Sequence, residues 1–425
     1  MWVDEMIAQP QKTPSPPPAK LLSCPSPHQE NIVPMSDPFG LAVDTTRYDI
    51  DFSVPQVHRL RFTNDCFGDD FSVLAELLQS SSPVASRVQV WLDQGLVDWD
   101  GSLPQRIAAR LDQTSGIGLV DEVQMLPGGE TVKNDHAYVD HLLQAFNRSQ
   151  LDRRSYVLAI GGGAVLDAVG YAAAIAHRGI RLIRVPTTTL GQADSGVGVK
   201  NAVNLFGKKN WKGTFATPWG VINDQELLKG LSDRDFCCGF SEAVKVALLK
   251  DRRFFDNLSE FAPQIASRAE PYAYQAIRQA VLLHLHHITH GGDPFESRQA
   301  RPLDFGHWSA HKLEAITQYG LRHGEAVAIG VAVDVAYSHL RHSLPLSVVQ
   351  QTLTTLQHLR LPVWDAALDE EVIFDGLEEF RQHLGGELTV TLVEQVGQPI
   401  DVHSIDRGAM REAMALVASH GTVVG

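Results

Sequence analysis

SYVLAIGGGAVLDAVGYAAAIAHRGIRLIRVP, residues 155–186, decides the fold. SYVLAI (155–160) is an apolar run rich in β-branched and aromatic side chains, and RLIRVP (181–186) is a second. Between them AVLDAVGYAAAIAHRG reads as a helix. Strand, helix and strand in that order predict a parallel sheet with a crossover helix, with ligands gathering beyond the C-terminal ends of the strands. Gly161, Gly162 and Gly163 stand where the first strand meets the helix. Without side chains there, a pyrophosphate can approach backbone N–H groups, and the helix N-terminus favours its charge. The spacing is not G-x-G-x-x-G, so a tight structural turn accounts for these glycines equally well when they are taken alone.

Upstream, RVQVWLD (87–93) is a further strand ending in Asp93, which either accepts from a ribose hydroxyl or closes a turn. This alternation covers residues 46–228, an α/β domain with a parallel-sheet, Rossmann-like dinucleotide-binding core. From 229 to 425 helical periodicity dominates, beginning with SDRDFCCGFSEAVKVALLKD, where Ser232 is an N-cap and acids fill the first turn. A mostly α-helical second domain is expected there. Residues 1–45, rich in Pro, Ser and Gln, read as a tail that cannot bury enough surface to order itself, and Met35 is an alternative start.

The composition, 44% hydrophobic and 20% charged over 425 residues, suits a soluble globular protein of two domains. A net charge of −14 argues against nucleic acid as the main partner but leaves room for a local basic pocket. Four cysteines without C-x-x-C spacing speak against a disulfide framework or a structural zinc cluster and for a reducing cytoplasm. No apolar run of about 18 residues is present to span a membrane, and the N-terminus lacks the order of a signal peptide.

The basic pocket has a candidate. GQADSGVGVKNAVNLFGKKNWKG (191–213) carries Asp194, Lys200, Lys208, Lys209, Asn210 and Lys212 among five glycines, a mixture that suits a phosphate better than it suits a solvated loop. In GFSEAVKVALL, Glu242 and Lys245 share a helical face flanked by apolar residues, either as an ion pair or with the glutamate free to be a ligand. DFGHWSAHKLE (304–314) sets His307 and His311 four apart; a zinc pair, a phosphate clamp and two ordinary helix histidines all look like this locally. His323 follows in RHGEAVAIG. Catalytic zinc takes three N or O ligands and keeps one position open, a count that one Glu and two His satisfy.

Taken together and in order, GGGAVLD, HRGIRLIRVPTTTLGQADSGVGVK, KKNWKG, SEAVK, DFGHWSAH and RHGE resemble the sugar phosphate cyclase superfamily, whose best-known member is 3-dehydroquinate synthase. The resemblance runs from roughly residue 85 to 395. It implies a divalent metal, zinc or cobalt, on Glu242, His307 and His323, and it moves His311 out of the ligand set to the substrate phosphate. It further implies substrate contacts at Asp194, Lys200, Lys209, Asn210 and Lys245, and NAD contacts at Asp93, Glu130, Lys133, Gly161, Gly162, Gly163, Asp167, Thr187 and Thr188. Arg178 matches an arginine that reaches a neighbouring subunit's phosphate site, so a homodimer is implied.

Three departures bear on the substrate. Asp304 stands where 3-dehydroquinate synthase has Asn, Ala300 where it has Arg, and RQHLGGELTV where it has a lysine-rich segment. An Arg–Asn pair suits a substrate carboxylate, whereas a carboxylate at Asp304 repels one by on the order of a few kcal/mol in a partly desolvated pocket. Asp304 and HLGGEL instead look like the branch that cyclises sedoheptulose 7-phosphate, the 2-epi-5-epi-valiolone synthase type, although that branch often has Pro where this chain keeps His311. His286, with His383 as the other possibility, takes the place of a missing lysine, and His284, His287 and His290 read as a histidine-rich helix surface. The competing readings are 3-dehydroquinate synthase itself, a metal-dependent polyol dehydrogenase, and a non-catalytic sugar phosphate-binding relative.

Overall fold

The structure, a computed structural model, describes residues 52–79, 84–206, 208–295, 302–383 and 386–421. The expected tail, Met35 and Ala300 lie outside the described residues, as does the side chain of His383. The chain divides after Val57, and His58–Gly425 forms one unit.

Within that unit the parallel sheet contains β1 (Leu60–Thr63), β2 (Ser86–Asp93), β3 (Ile117–Leu119), β4 (Gln124–Leu126), β5 (Tyr156–Gly161), β6 (Arg181–Pro186) and β9 (Gly220–Asp224). Their order is β1-β9-β6-β5-β2-β3, with β4 pairing the far end of β2, and all pairs are parallel. Every residue of β5 is buried, as a strand covered on both faces requires. Successive side chains enter opposite cores: Val88, Val90, Leu92, Leu158 and Ile160 pack in one, Trp91, Val157 and Ala159 in the other. The expected crossover helix is α1 (Gly163–Ile175), apolar nearly all round and packed in the second of these cores.

The expected glycine-rich basic loop differs. After an irregular turn at Gly191–Ser195 the chain forms an antiparallel hairpin, β7 (Lys200–Leu205) and β8 (Lys208–Phe215). Scattered glycines and lysines hide the strand NAVNL, and its four successive buried residues, Asn201 to Asn204, give no alternation to read.

Among the described residues beyond β9 the regular structure is helical apart from a short hairpin, Val390–Gln395 with Gln398–Val402. Ser232 caps as expected, its hydroxyl accepting from Asp235 N at 3.1 Å. Four helices shape the site: α2 (Phe240–Lys250), α3 (Tyr272–His290), α4 (His307–Ile316) and α5 (His323–His342). α2 and α5 run through the largest core, and α2 is buried from Phe240 to Leu249. Among the described residues no helix is long and apolar enough to cross a membrane.

Candidate active site

Burial of α2 on all sides carries Glu242 and Lys245 into the interior, where a surface ion pair is excluded. Lys245 Nζ lies 2.5 Å from Glu242 Oε2 and 3.8 Å from Asp194 Oδ1. Burial alone lowers a lysine pKa, but the Glu242 and Asp194 carboxylates outweigh it and hold Lys245 above its usual value. Asp194 is correspondingly held far below the carboxylate range: burial opposes this, and Lys245 followed by His284 overcomes it.

His307 and His323 approach Glu242 from α4 and α5. Their Nε2 atoms lie 3.7 and 3.6 Å from Glu242 Oε1, a buried oxygen that accepts no hydrogen bond among the described residues. One donor atom from each of the three residues lies within 4.8 Å of the others. The opposite ring nitrogens are already engaged: His307 Nδ1 meets Phe305 O at 3.1 Å, and His323 Nδ1 meets Glu314 Oε2 at 3.2 Å. With Nδ1 engaged, both Nε2 atoms face an orphaned carboxylate oxygen, an arrangement that a tetrahedral divalent ion would complete. The ion would take the place of a proton on His323, whose pKa is raised to about 10 against its burial by the Glu314 and Glu242 carboxylates. Burial, then the nearby Lys245 charge, lowers the His307 pKa and keeps that imidazole neutral.

The backbone before His307 is tightly specified. Gly306 has φ +78, and a Cβ there would lie 2.8 Å from Val331 N of α5. Asp334 of α5 accepts from Gly306 N at 3.0 Å and Trp308 Nε1 at 2.9 Å, gripping both neighbours of His307. Burial raises the Asp334 pKa to about 7.

His311 lies at the rim, exposed, its ring centre 5.5 Å from that of His307 and 5.9 Å from that of His323. His311, Glu314 and His323 also come within 4.8 Å of one another. Both Glu314 oxygens are engaged, however, Oε1 by Lys209 Nζ at 2.7 Å and Oε2 by His323 Nδ1 at 3.2 Å. Glu242 meets Lys245 through Oε2 and keeps Oε1 without a hydrogen bond among the described residues, which leaves the Glu242 group as the better metal set. Asp304 is half-buried, and its charge acts on Lys245 and His307.

The residues expected to hold the dinucleotide gather at the strand ends. A Cβ on Gly161 would lie 2.9 Å from Val165 Cβ and 3.1 Å from Asp93 Cβ, and one on Gly163 would lie 3.0 Å from Ser195 Oγ, so bare backbone lines this corner. Asp93 accepts from Gly95 N at 2.9 Å, and burial raises its pKa. Thr187 N donates to Gly161 O, and Thr188 Oγ1 accepts from Gly191 N. Lys133 Nζ donates to Asp167 at 2.7 Å and also reaches Asn210. Glu130 lies 3.4 Å from Lys209 Nζ, so Lys209 spans the cofactor corner and the α4 side of the metal cluster. The glycine cradle at a helix N-terminus and the acid ending β2 fit a dinucleotide.

Several expected residues stand at exposed positions. Lys200 opens β7 with its side chain exposed, and Lys208 and Lys212 are exposed on β8. Arg178 is exposed on the turn before β6, at the opposite end of that strand from Thr187 and Thr188. There it lines a separate cavity of about 520 Å³ with Arg153, Arg181, Phe215 and Trp219.

The expected histidine-rich surface on α3 needs correction. His286 and His290 are exposed and stacked at 4.5 Å, as a surface pair would be. His284, by contrast, has a side chain only 12% exposed and brings Nδ1 to 2.8 Å from Asp194 Oδ1, so it and not His286 stands at the site. The buried stripe Ala273, Ala276, Ile277, Ala280 and Val281 points to position 284 by its i+3 and i+4 steps. Glu314 was also readable, seven residues from His307 on the same face of α4. Asn204, which donates to Glu130 Oε2 at 2.8 Å and accepts from Asn210 N, carries no such signal.

The N-terminal 3-dehydroquinate synthase family pattern matches residues 123–238, and the C-terminal pattern matches 239–380. The chain is 31% identical over 297 residues to a 3-dehydroquinate synthase of Latilactobacillus sakei, covering 68% of this chain and 79% of that one. It is 32% identical over 305 residues to a 2-epi-5-epi-valiolone synthase of Streptomyces glaucescens, covering 70% and 78%. In fold it is similar to a 2-epi-5-epi-valiolone synthase of Streptomyces hygroscopicus solved with NAD+ and Zn2+ bound, with a TM-score of 0.78 and 24% identity over 88% of this chain and all of that one.

Proposed function

The chain belongs to the 3-dehydroquinate synthase family, and we propose that it is an NAD- and metal-dependent sugar phosphate cyclase, a carbon–oxygen lyase that turns an uncarboxylated ketose phosphate of the sedoheptulose 7-phosphate kind into a carbocycle and inorganic phosphate. The observation that carries this reading is the convergence of a His–His–Glu cluster, a buried lysine and a basic hairpin beside a glycine cradle. Relatives of both branches are about equally similar, so the choice between them rests on Asp304, whose charge disfavours a substrate carboxylate.

Glu242, His307 and His323 would hold the divalent ion, zinc or cobalt, and Asp93, Glu130, Lys133, Asp167, Thr187, Thr188 and Gly161 to Gly163 would line the NAD site. When bound, these groups supply reversible hydride transfer and Lewis-acid polarisation of a substrate oxygen. Lys245 Nζ orients a substrate hydroxyl and holds a proton beside it, its charge balanced by Glu242 and Asp194. Lys200, Lys209, Asn210 and His311 clamp the phosphate and steady it as it leaves, with no lasting change in oxidation state. Arg178 completes that clamp from a second subunit, which makes the functional unit a homodimer, and a cytoplasmic location suits the free cysteines and phosphorylated substrate.

Stopped-flow absorbance tests the redox cycle. A cyclase shows NADH rising and vanishing within each turnover; NADH that accumulates one-for-one with product contradicts the reading and assigns a dehydrogenase.

A further inference from the structure

Arg184 lies in the middle of β6 and is fully buried, although nothing in the chemistry above uses it. Its hydrogen bonds go to a single segment. Nη1 donates to the carbonyls of Ser195 and Gly196, each at 3.2 Å, and of Gly198 at 2.9 Å. Nη2 donates to Lys200 O at 2.9 Å and Asn201 Oδ1 at 2.6 Å. Among the described residues no carboxylate pairs with it directly; Asp167 of α1 supports the charge from farther away.

A buried cation held by carbonyl dipoles is expensive, and an apolar residue would fill β6 at lower cost. What the guanidinium adds is shape: a rigid fork of N–H donors that meets several acceptors at once, which a lysine's single nitrogen cannot reproduce. The pinned segment begins one residue after Asp194 and ends one residue after Lys200. Its last residue is docked as well, since Asn201 Oδ1 lies 1.9 Å from where Gly170 of α1 would carry a Cβ. The strand bearing Arg184 runs on to Thr187 and Thr188 at the cofactor corner.

We propose that Arg184 is a positioning residue which, through residues 195–201, fixes Asp194 and Lys200 relative to the dinucleotide cradle without touching substrate. Its kinetic consequences rest on the cyclase reading; its structural consequence does not.

The test uses full-length Arg184→Lys and Arg184→Met, with amide hydrogen exchange by mass spectrometry, NAD titration by fluorescence and phosphate-release kinetics. The expected result is faster exchange confined to residues 195–201, NAD affinity within about twofold of wild type, and kcat/KM for the ketose phosphate lower by at least about tenfold, Arg184→Lys retaining more than Arg184→Met. Unchanged exchange in both folded variants overturns the proposal, and so does unchanged kcat/KM in a variant whose segment exchanges faster. Exchange raised throughout the sheet, with NAD affinity lost in step with turnover, overturns it in favour of a general scaffold role. Should Arg184→Met not fold, Arg184→Lys decides. Should wild-type protein release no phosphate from any ketose phosphate, the cyclase reading fails while the exchange result still judges Arg184.

Discussion

Replacing Glu314 by glutamine probes the support of the metal cluster. Glu314 has a side chain 3% exposed and serves two cationic or N–H partners, Lys209 Nζ at 2.7 Å from Oε1 and His323 Nδ1 at 3.2 Å from Oε2. A carboxylate behind a ligating imidazole fixes its tautomer and raises its basicity, and losing one typically costs roughly 10–100-fold in metal affinity, about 1.4–2.8 kcal/mol. Glutamine preserves the volume but offers one oxygen where two donors now bind, so either Lys209 or His323 is left facing an amide N–H. His307, whose Nδ1 rests on the Phe305 backbone carbonyl, keeps its support, so zinc binding is weakened and not abolished. Competition for zinc against a chromophoric chelator reads the affinity, and a melting curve on the same sample shows whether the fold is retained. Lys209→Met, which removes only the outer partner, is expected to weaken zinc less. A folded Glu314→Gln protein that binds zinc as wild type does would refute the argument.

Lys245→Met leaves the Glu242 and Asp194 carboxylates without their buried cation, and turnover is expected to fall by about 10²–10⁴-fold while NAD titration stays near wild type; activity within tenfold of wild type contradicts the role given to Nζ. Asp304→Asn removes the charge that repels a substrate carboxylate, so the ratio of kcat/KM values should move about 10–100-fold toward a carboxylated ketose phosphate, and an unmoved ratio shows that selectivity lies elsewhere. Asp334, raised to about 7 by burial, favours the folded state most when protonated. Its contribution is complete below the unfolded carboxylate range and disappears as pH rises through about 7, on the order of 4 kcal/mol in all. Denaturant unfolding of wild type and Asp334→Asn from pH 4.5 to 8 should therefore show the wild-type advantage shrinking as pH rises; a constant difference contradicts it.

The sequence made the core of the sheet readable because β5, α1 and β6 obey strand and helix periods cleanly and the glycines mark the turn between them. The hairpin at 200–215 was harder, since its outward residues are the lysines and glycines that also compose loops. Glu242, His307 and His323 come from three helices and lie up to 81 residues apart, so no local spacing joins them; only the ordered set of motifs did. His284 escaped because four histidines within seven positions look like one polar surface, although the apolar stripe of α3 already turned one of them inward. Arg184 hides for the opposite reason: a single arginine in an apolar strand reads as an edge residue until its carbonyl partners are seen.

The central claim is that phosphate leaves an uncarboxylated sugar in a redox-neutral cycle. Inorganic phosphate release from zinc-loaded protein with NAD, measured side by side on sedoheptulose 7-phosphate and on the carboxylated precursor of dehydroquinate, tests it most directly. Release from sedoheptulose 7-phosphate alone is the predicted result. Release only from the carboxylated substrate, or from neither, would contradict it.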